Sequence, residues 1–393
     1  MNKVISTEGK PIKLWLDDIE DGALEQAKNL ANLPFTYKWV AIMPDSHQGY
    51  GMPIGGVLAT EGVVIPNAVG VDIGCGMCAV KTTLTEISQD DIKMIFGGSA
   101  EHHGGIRAIV PVGFSKQKSA QEEYLLPPLP HTDIVGNELD NARKSIGTLG
   151  GGNHFIEIQK GSDGFIWIMI HSGSRNLGFT VANHYNKLAI ELNKKWHSVV
   201  PEKHELAFLP LNTSYADNYI TDMNYCVEYA LANRKLMMDN IKDVFIEHFD
   251  GKIDFDEMIN IAHNYARLES HYGKNVMVHR KGATLADKDT IGIIPGSQGT
   301  HSYIVKGKGN PESFNSCSHG AGRKMGRKDA ERRLNLEEET KNLDDKGIIH
   351  AIRGIKQLDE APGAYKDIDT VMNNQTDLVD IAVELTPLGV VKG

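Results

Sequence analysis

The sequence predicts an α+β protein that forms a single composite domain over residues 1–393. Short apolar runs separated by glycine, proline, asparagine and aspartate predict strands joined by loops, and longer segments with apolar residues at steps of three and four predict amphipathic helices. Hydrophobic residues make up 41% of the chain and charged residues 23%, which is typical of a globular protein and not of a disordered chain or a coiled coil. Since no repeat and no clear linker divides the chain, we expect one domain.

The first part of the chain is predicted to supply one helix and a group of strands. Residues 17–33 predict a helix behind an acidic first turn. Residues 117–141, rich in proline and polar side chains, predict an excursion or a lid. Between residues 39 and 85, apolar runs alternate with turn residues and predict short strands at 41–43, 56–59, 63–65 and 77–80.

The second part is predicted to contain strands beside glycine-rich loops and a long helix. Strands are expected over residues 155–158 and 165–170. Residues 217–248 predict a core-facing helix whose apolar stripe is interrupted by Arg234. Residues 327–345 are densely charged and helix-prone, which is typical of a solvated helical face.

Charge, hydropathy and cysteine content exclude several classes of protein. The net charge of −10 argues against a protein that coats nucleic acid through bulk electrostatics. The longest apolar run, 165–170, is too short to span a bilayer, and no signal-peptide pattern opens the chain. Four cysteines are too few for a disulfide framework and suit a reducing compartment, so we expect a cytoplasmic protein without membrane contact.

Residues 70–76 form a glycine-rich turn that contains Asp72 and Cys75. A carboxylate and a thiol three residues apart can face one divalent cation, although a tight turn with a buried cysteine explains the pattern equally well. Cys75 and Cys78 also form a C-x-x-C pair, which could be a redox pair or half of a zinc site. The chain contains no second C-x-x-C and no thioredoxin-like context, so we expect Cys78 to be part of a strand core.

Histidines recur beside predicted strands. Three glycines at 150–152 precede His154 and free backbone amides to reach an anion, so His154 is either a ligand at the loop edge or a core histidine. His171 lies at the end of the most hydrophobic predicted strand and begins a polar cluster. Active sites often lie where a buried strand ends in polar residues, and a capped turn is the alternative interpretation. His263 is predicted to lie on a helix, where a lone histidine more often packs than ligates.

Two later segments add anion-binding character. Residues 293–300 form another loop of backbone donors behind a strand-like run, but they lack the Gly-Lys-Ser/Thr ending of a P-loop. His319 stands among small residues, and residues 317–333 carry six Lys or Arg against two acids. Together with Asp72, Cys75 and the other histidines, these segments predict one or two divalent ions and phosphoryl transfer on a nucleotide or nucleic acid.

Four motifs in combination resemble those of the bacterial RtcB-type RNA ligases, and the resemblance extends from residue 44 to residue 393. The motifs are Gly-Cys-Gly at 74–76, Gly-Asn-His-Phe at 152–155, His-Ser-Gly-Ser-Arg at 171–175 and Ser-His-Gly-Ala-Gly-Arg at 318–323. The resemblance implies a GTP-dependent and Mn²⁺-dependent ligase of RNA repair and tRNA processing. Such an enzyme joins an RNA 3′-phosphate or 2′,3′-cyclic phosphate end to a 5′-hydroxyl end. The implied fold is a single RtcB-like domain with a central β-sheet around a deep cleft for metal and nucleotide.

The resemblance also implies roles for individual residues. Asp72, Cys75 and His154 would bind one manganese ion, and Cys75, His171 and His263 would bind a second, so that Cys75 bridges two ions. His319 would be guanylylated, and Arg175 and Arg323 would lie near RNA phosphates. The implied nucleotide-binding residues are Asn153, His154, Phe155, Ile156, Glu157, His263, Asn264, Pro295, Gly296, Ser297, Gln298, Ser302, His319, Gly320, Ala321, Gly322, Tyr365 and Lys392. Among them, Glu157 and Lys392 fit guanine recognition and Tyr365 matches a residue that stacks on the base.

Two other classes of function compete with the ligase. A metal-dependent phosphodiesterase or nuclease would use the same metal ligands, but it leaves His319, Glu157 and Lys392 without a common role. A non-catalytic RNA-binding or sensor protein is disfavoured because every ligand position is filled. The expected partner is RNA with 3′-phosphate or 2′,3′-cyclic phosphate and 5′-hydroxyl ends, and dependence on an activator of the archease type is left open.

Overall fold

The computed structural model describes residues 1–97, 104–130 and 132–393, and it mixes helices and strands along the chain. The strands are β1 (Lys3–Ile5), β2 (Ile12–Leu14), β3 (Thr36–His47), β4 (Ile54–Thr60), β5 (Val63–Val64), β6 (Gly76–Lys81), β7 (Phe155–Gly161), β8 (Ile166–Ser172), β9 (Leu209–Pro210), β10 (Ile259–Ala262), β11 (Asn264–His271), β12 (Lys274–Lys281), β13 (Ala283–Leu285), β14 (Ile291–Ile294), β15 (Ser302–Gly307), β16 (Ser316–Ser318) and β17 (Val379–Lys392). The helices are α1 (Asp21–Ala31), α2 (Gln89–Gly97), α3 (Ile106–Ile109), α4 (Asp133–Ser145), α5 (Asn176–Lys195), α6 (Ser214–His248), α7 (Arg327–Arg333), α8 (Leu336–Asp345) and α9 (Ile368–Asn373).

Two large sheets organise these elements. A six-stranded sheet has the order β1-β2-β3-β4-β12-β11, and a seven-stranded sheet has the order β10-β6-β8-β7-β17-β15-β14. The two edge strands of the larger sheet, β10 and β14, contact each other, so this sheet nearly closes into a barrel. A short sheet of β13 and β16 follows directly on β12 and ends beside His319.

The alternation of side chains along β7 and β8 separates the core from the site. Ile156, Ile158, Ile168 and Ile170 point outward and pack in one apolar cluster with α6, through Met237, Met238, Ile241 and Phe245. The intervening residues point to the other face, where Met169 packs with residues of β6, β14 and β15. Because successive residues of a strand face opposite sides, Phe155, Glu157 and His171 are presented inside the nearly closed sheet.

Most predicted elements are confirmed, with shifts at their ends. The helix predicted over 17–33 is α1 (Asp21–Ala31), and the one predicted over 217–248 is α6 (Ser214–His248), where Thr213 Oγ1 accepts a hydrogen bond from Ala216 N. The strands predicted between 39 and 85, and at 155–158 and 165–170, are present. None of the helices in the described residues is long and apolar enough to cross a bilayer.

One local prediction is wrong and two others gain detail. His263 does not lie on a helix: it is the single residue between β10 and β11, because the chain leaves the seven-stranded sheet there and enters the six-stranded one. The segment 327–345 is helical as expected, in two parts, since Asn335 caps the start of α8 and separates it from α7. The expected excursion or lid at 117–141 is partly helical: apart from residue 131, which lies outside the described residues, its last part is the first part of α4.

Arg234 explains why the apolar stripe of α6 contains a charge. Its side chain is fully buried and donates four hydrogen bonds, to Asn260 Oδ1 at 2.8 Å and to the carbonyl oxygens of Ser172 at 2.8 Å and of Gly74 and Ile261 at 3.1 Å. These acceptors belong to β8, to β10 and to the turn before β6. Arg234 therefore ties together three chain segments that carry the candidate site.

We expect Arg234→Met to lower the free energy of unfolding by at least about 4 kcal/mol, because four buried acceptors lose their donors and each buried group left unsatisfied costs about 1–3 kcal/mol. Urea unfolding followed by circular dichroism in a chelating buffer measures this change. The matched control is Lys235→Met, since Lys235 is exposed and pairs with Asp239 on the helix surface. An equal effect of both substitutions would contradict the role assigned to Arg234.

Candidate active site

Four neighbouring strands bring the predicted metal ligands to one end of the seven-stranded sheet. In the order β10-β6-β8-β7 all neighbours are antiparallel, so the starts of β6 and β7 lie beside the ends of β8 and β10. Gly76 at the start of β6 pairs with Ser172 at the end of β8 and with Ala262 at the end of β10. The residues just outside or at these four ends are Asp72, Cys75, His154, His171 and His263.

The turn before β6 requires glycine at position 74. Gly74 has a φ of +75°, which L side chains rarely adopt, and a Cβ there would lie 2.8 Å from Val227 Cα of α6. This close approach to the helix places Cys75 at the sheet end, with Cys75 N donating to Asp72 O at 3.1 Å. The turn therefore orients the carboxylate and the thiol toward the histidines of the neighbouring strands.

Five side chains form two groups of donor atoms that share one thiol. Cys75, His171 and His263 form one group and Asp72, Cys75 and His154 the other, and within each group the ligand atoms lie within 4.8 Å of one another. Cys75 Sγ is 3.3 Å from His171 Nε2 and 3.5 Å from His154 Nε2, and His154 Nε2 is 3.4 Å from Asp72 Oδ2. We name these five residues the donor cluster.

The surrounding backbone fixes the orientation of two imidazoles. Leu149 O lies 2.9 Å from His154 Nδ1, and Asn153 O lies 3.1 Å from His171 Nδ1. A carbonyl oxygen can only accept, so each Nδ1 carries the proton and each Nε2 presents its lone pair to the cluster. This is the arrangement that a histidine metal ligand requires.

The protonation states of the donor cluster also suit a cation. Burial, together with the charges of neighbouring histidines, lowers the pKa of His171 and of His263 well below the usual value, so both imidazoles are neutral. Burial and the adjacent Asp72 carboxylate raise the pKa of the Cys75 thiol well above its usual value. A divalent ion reverses this effect, because a coordinated thiol loses its proton. The mixed oxygen, nitrogen and sulfur donors therefore fit one or two divalent transition-metal ions.

His319 lies beside the donor cluster. Its ring centroid lies 4.8 Å from that of His263. Its Nδ1 donates to Asp45 Oδ2 at 2.6 Å, and the same oxygen accepts from the backbone N of His319 at 3.0 Å and of Gly320 at 3.3 Å. Asp45 is completely buried, so the pair fixes the ring and leaves Nε2 as the free nitrogen.

A cavity of about 610 Å³ opens between His319 and the inner face of β7 and β17. Of the predicted nucleotide-binding residues it is lined by Asn153, Phe155, Glu157, Pro295, Gly296, Ser297, Gln298, His319, Gly320, Ala321, Gly322, Tyr365 and Lys392. The other five lie elsewhere. His154 is in the donor cluster, Ile156 is in the core, His263 and Asn264 line the neighbouring cavity, and buried Ser302 accepts a hydrogen bond from Gly296 N through its Oγ at 3.1 Å. We name this space the nucleotide cavity.

Opposite charges meet at the inner end of the nucleotide cavity. Burial raises the pKa of Glu157 to about 8, although the hydrogen bond from Gln159 and the charge of Lys392 act in the opposite direction. Lys392 Nζ lies 3.6 Å from Glu360 Oε2. Glu360 also accepts from Arg323 at 3.0 Å and from the Tyr365 hydroxyl, so this carboxylate links two predicted nucleotide residues to a predicted RNA residue.

A second cavity, of about 1000 Å³, adjoins the first and is lined by five Lys or Arg side chains and three acids, with four of the basic residues grouped at 323–333. It extends from the donor cluster, through Asp72, Cys75 and His263, to Arg323, Lys324, Arg327 and Arg333. We name it the basic cavity. Arg175 lines neither cavity: its guanidinium is held behind Gly150 by Thr148 Oγ1 at 3.1 Å and by Gly113 O at 3.2 Å.

The sequence of the chain matches a family model described as "tRNA-splicing ligase RtcB" over residues 26–125 and 105–393. The chain belongs to the RtcB family. It is 37% identical to the RNA-splicing ligase RtcB of Escherichia coli K12, over the whole of this chain and 99% of that protein. It is 32% identical to the tRNA-splicing ligase RtcB of Thermococcus kodakarensis, over 95% of this chain and 92% of that protein. The family assignment made from the sequence motifs is thus confirmed.

Sequence reasoning missed several residues of this RtcB-family site. Asp45 lies 274 positions from His319, and Glu360 is one of many acids in a charged region. Lys281 is buried, and burial lowers its pKa to about 7 while its Nζ donates to the carbonyl oxygens of Tyr50 and Asn67. The resemblance begins at the Pro-Asp-Ser-His-Gln-Gly segment at 44–49, but nothing in that segment indicates that its aspartate orients His319.

We expect Cys75→Ala to weaken Mn²⁺ or Zn²⁺ binding by on the order of 100-fold, because both groups of donors lose their shared thiolate. Cys78→Ala is the matched control, since the Cys78 side chain is buried in the apolar cluster against α6. Metal content after gel filtration, measured by atomic emission and by competition with a chromogenic chelator, distinguishes the variants. Equal loss in both would favour the C-x-x-C interpretation instead.

Proposed function

We propose that the chain is a GTP-dependent and manganese-dependent RNA ligase that joins RNA 3′-phosphate or 2′,3′-cyclic phosphate ends to 5′-hydroxyl ends. One observation carries the proposal: His319, with Nδ1 held by Asp45 and Nε2 free, stands between the donor cluster and the nucleotide cavity. A nucleophile placed between metal ligands and a nucleotide cavity fits covalent nucleotidyl transfer. Membership of a family of RNA-splicing ligases supports RNA as the substrate.

In the first step, His319 Nε2 attacks the α-phosphorus of GTP. A P–N bond forms, the P–O bond to the β-phosphate breaks, and pyrophosphate leaves with the bonding electron pair. Asp45 accepts the hydrogen bond from His319 Nδ1 throughout this step, and its carboxylate stabilises the positive charge that the ring gains. A Cβ at Gly322 would lie 2.0 Å from Asp45 O, and a Cβ at Gly282 would lie 3.0 Å from His319 Cε1, so side chains at these positions would displace the nucleophile or its partner.

In the second step, an oxygen of the RNA 3′-phosphate attacks the phosphorus of His319-bound GMP. The P–N bond breaks and a P–O–P linkage forms between RNA and GMP. In the third step, the 5′-hydroxyl attacks the RNA 3′-phosphorus, GMP leaves, and a 3′,5′-phosphodiester forms. A cyclic phosphate end first needs hydrolysis to the 3′-phosphate. Arg323 and Arg327, which line both cavities, are in position to hold the phosphate oxygens between these steps.

The five residues of the donor cluster would hold two manganese ions, with Asp72, Cys75 and His154 at one and Cys75, His171 and His263 at the other. When bound, such ions supply neutralisation of the phosphate charges that would otherwise repel the incoming groups. A phosphodiesterase without ligase activity would use the same cluster. It would leave the His319–Asp45 pair and the charged end of the nucleotide cavity without a function.

Glu157 and Lys392 would select guanine. A carboxylate accepts from the N1 and exocyclic amino protons of guanine, and an ammonium donates to O6, whereas adenine mispairs with both. Glu157 is buried, 15% of the Lys392 side chain is exposed, and both line the nucleotide cavity, where mispaired charges are costly. Tyr365, whose hydroxyl donates to Glu360, would present its ring to the base.

We further infer that residues 1–393 act as one ligase domain in the cytoplasm. The sheets share chain segments rather than a linker, since β10 and β11 are separated only by His263 and belong to different sheets. All four cysteines are free, which agrees with a reducing compartment. An archease-type activator would act on this domain, and ligation assays with and without such a protein test that dependence.

We expect His319→Ala to abolish transfer of labelled GMP from α-labelled GTP to the protein, because His319 supplies the imidazole that Asp45 orients between the donor cluster and the nucleotide cavity. The wild-type adduct should survive alkali and hydrolyse in acid, as a P–N bond does. His184→Ala, a change of an exposed histidine on α5, should retain the adduct.

The same variant tests the later step. Given RNA that already carries GMP on its 3′-phosphate, His319→Ala should still seal it to a 5′-hydroxyl, since that step needs no covalent histidine. An adduct on His319→Ala, or an adduct stable in acid, would show that another residue is the nucleophile.

We expect the affinity for guanine nucleotide to rise with pH between 6 and 8. The pKa of Glu157 in the free protein is about 8, so the carboxyl is protonated below that pH and must release its proton to accept from guanine. The affinity should change roughly tenfold per pH unit well below 8 and level off above it. Calorimetric titration with GMP in buffers of different ionisation enthalpy counts the released proton. Glu157→Gln should remove this pH dependence and weaken binding at pH 8.5, and parallel pH profiles of the two proteins would contradict the assignment.

A further inference from the structure

The loop between β3 and β4 presents an aromatic side chain that the ligase steps above do not use. Tyr50 is 68% exposed, which is a high exposed fraction for an aromatic side chain. It lines both the nucleotide cavity and the basic cavity. An exposed aromatic ring at the junction of the two spaces therefore requires an explanation.

The exposure of Tyr50 does not come from a loosely held loop. The carbonyl of Tyr50 accepts from Lys281 Nζ at 2.5 Å and from Met52 N at 2.7 Å. On either side, Gly49 N donates to Gln26 Oε1 at 3.1 Å, and Gly51 N donates to Glu205 Oε2 at 3.1 Å. The backbone is thus fixed at three consecutive residues while the ring remains uncovered, which is a preformed surface rather than a mobile one.

The surroundings of Tyr50 resemble a slot for one nucleotide. Ile54 and Val71 line the same two cavities and are the other apolar residues at the junction, and Val71 is 39% exposed. Arg323 and Arg327 line the same junction. The aromatic and aliphatic side chains suit contact with a nucleobase, and the arginines suit contact with the phosphate of the same nucleotide.

We propose that Tyr50 stacks on the base of the 3′-terminal nucleotide of the RNA and so positions its 3′-phosphate beside His319. This proposal rests on the proposed ligase function. The 3′-phosphate has to reach GMP bound to His319, so its own ribose and base lie within one nucleotide of the junction. The 5′-hydroxyl attacks in line with the departing GMP and approaches from the far side of the phosphorus, away from the nucleotide cavity that Tyr50 also lines. Tyr50 acts as a positioning residue and takes no part in bond formation.

Stacking is insensitive to which base is present, because every base has a π-face. Tyr50 therefore favours an unpaired 3′ end that carries a base, whatever the sequence of that end. A 3′ end that is paired in a duplex offers no free face to the ring. The recognised substrate class is thus a single-stranded 3′-phosphate terminus.

The test is a double-change cycle that combines Tyr50→Ala with an RNA substrate whose 3′-terminal nucleotide lacks its base. Single-turnover assays with labelled RNA measure formation of the RNA–GMP intermediate at subsaturating RNA, normalised to the amount of protein–GMP formed beforehand from GTP alone. We expect Tyr50→Ala to slow this step about 10-fold, equivalent to about 1.4 kcal/mol and within the range of base–aromatic stacking. Wild-type protein should lose the same factor on RNA whose 3′-terminal nucleotide is abasic, and the combination should lose no more than either change alone.

Further arms distinguish stacking from a general structural effect. Tyr50→Phe should retain most of the rate on normal RNA, because the ring is kept, and the loss in Tyr50→Ala should appear in the KM for RNA more than in kcat. The matched control is Tyr124→Ala, since Tyr124 is 82% exposed and lines neither cavity.

Several outcomes would overturn the role of Tyr50 while leaving the ligase intact. The first is that Tyr50→Ala and the abasic 3′-terminal nucleotide slow the step by factors that multiply when the two changes are combined. The second is an equal loss of rate in Tyr124→Ala. The third is that an abasic 5′-terminal nucleotide, and not an abasic 3′-terminal one, reduces the rate. Absence of protein–GMP in the wild-type protein would instead overturn the ligase proposal, and the role of Tyr50 with it.

Discussion

The candidate site depends on the antiparallel pairing of four strands, β10, β6, β8 and β7. Because neighbours run in opposite directions, two strand starts and two strand ends meet at one edge, and each contributes a donor atom there. A shift of one residue in the register of β6 against β8 would turn Cys75 or His171 to the other face of the sheet. Arg234 stabilises this register, since its guanidinium donates hydrogen bonds to carbonyl oxygens on three of the chain segments.

Buried carboxylates complete the arrangement. Asp45 holds the ring of His319, and Glu360 gathers Arg323, Lys392 and the hydroxyl of Tyr365. Burial raises the pKa of Glu360, but the neighbouring cations and the Tyr365 hydroxyl outweigh it and keep the pKa below the usual value. Glu360 is thus ionised, and the main effect of both acids is to fix positively charged or nucleophilic groups in place before any phosphate arrives.

The sequence was most informative where chemistry and backbone conformation coincide. The turn with Gly74 and Cys75, and the motifs around His154 and His171, could be recognised because glycines and ligand types occur at short spacing. The placement of His263 could not, since a single residue between two strands has no periodicity of its own and its neighbours suggest a helix. Asp45 and Lys281 were missed because their partners His319 and Tyr50 lie far away in the chain. Glu360 was missed because Arg323 and Lys392 meet at it only after tertiary folding, although its partner Tyr365 is close in the sequence.

The two halves of the site are built on different sheets, and this division has a mechanical consequence. The donor cluster is attached to the seven-stranded sheet, whereas Asp45 ends β3 of the six-stranded sheet and His319 follows β16, which pairs with β13 just beyond β12. Backbone hydrogen bonds nevertheless join the two halves: Ala283 N donates to His263 O at 3.2 Å, and His263 N donates to Cys75 O at 2.8 Å. Ala283 also pairs with Ser318, the residue before His319. The spacing between His319 and the donor cluster is therefore held by the main chain as well as by packed side chains, so a phosphorus atom that bonds to the imidazole and then leaves it meets a site of fixed width.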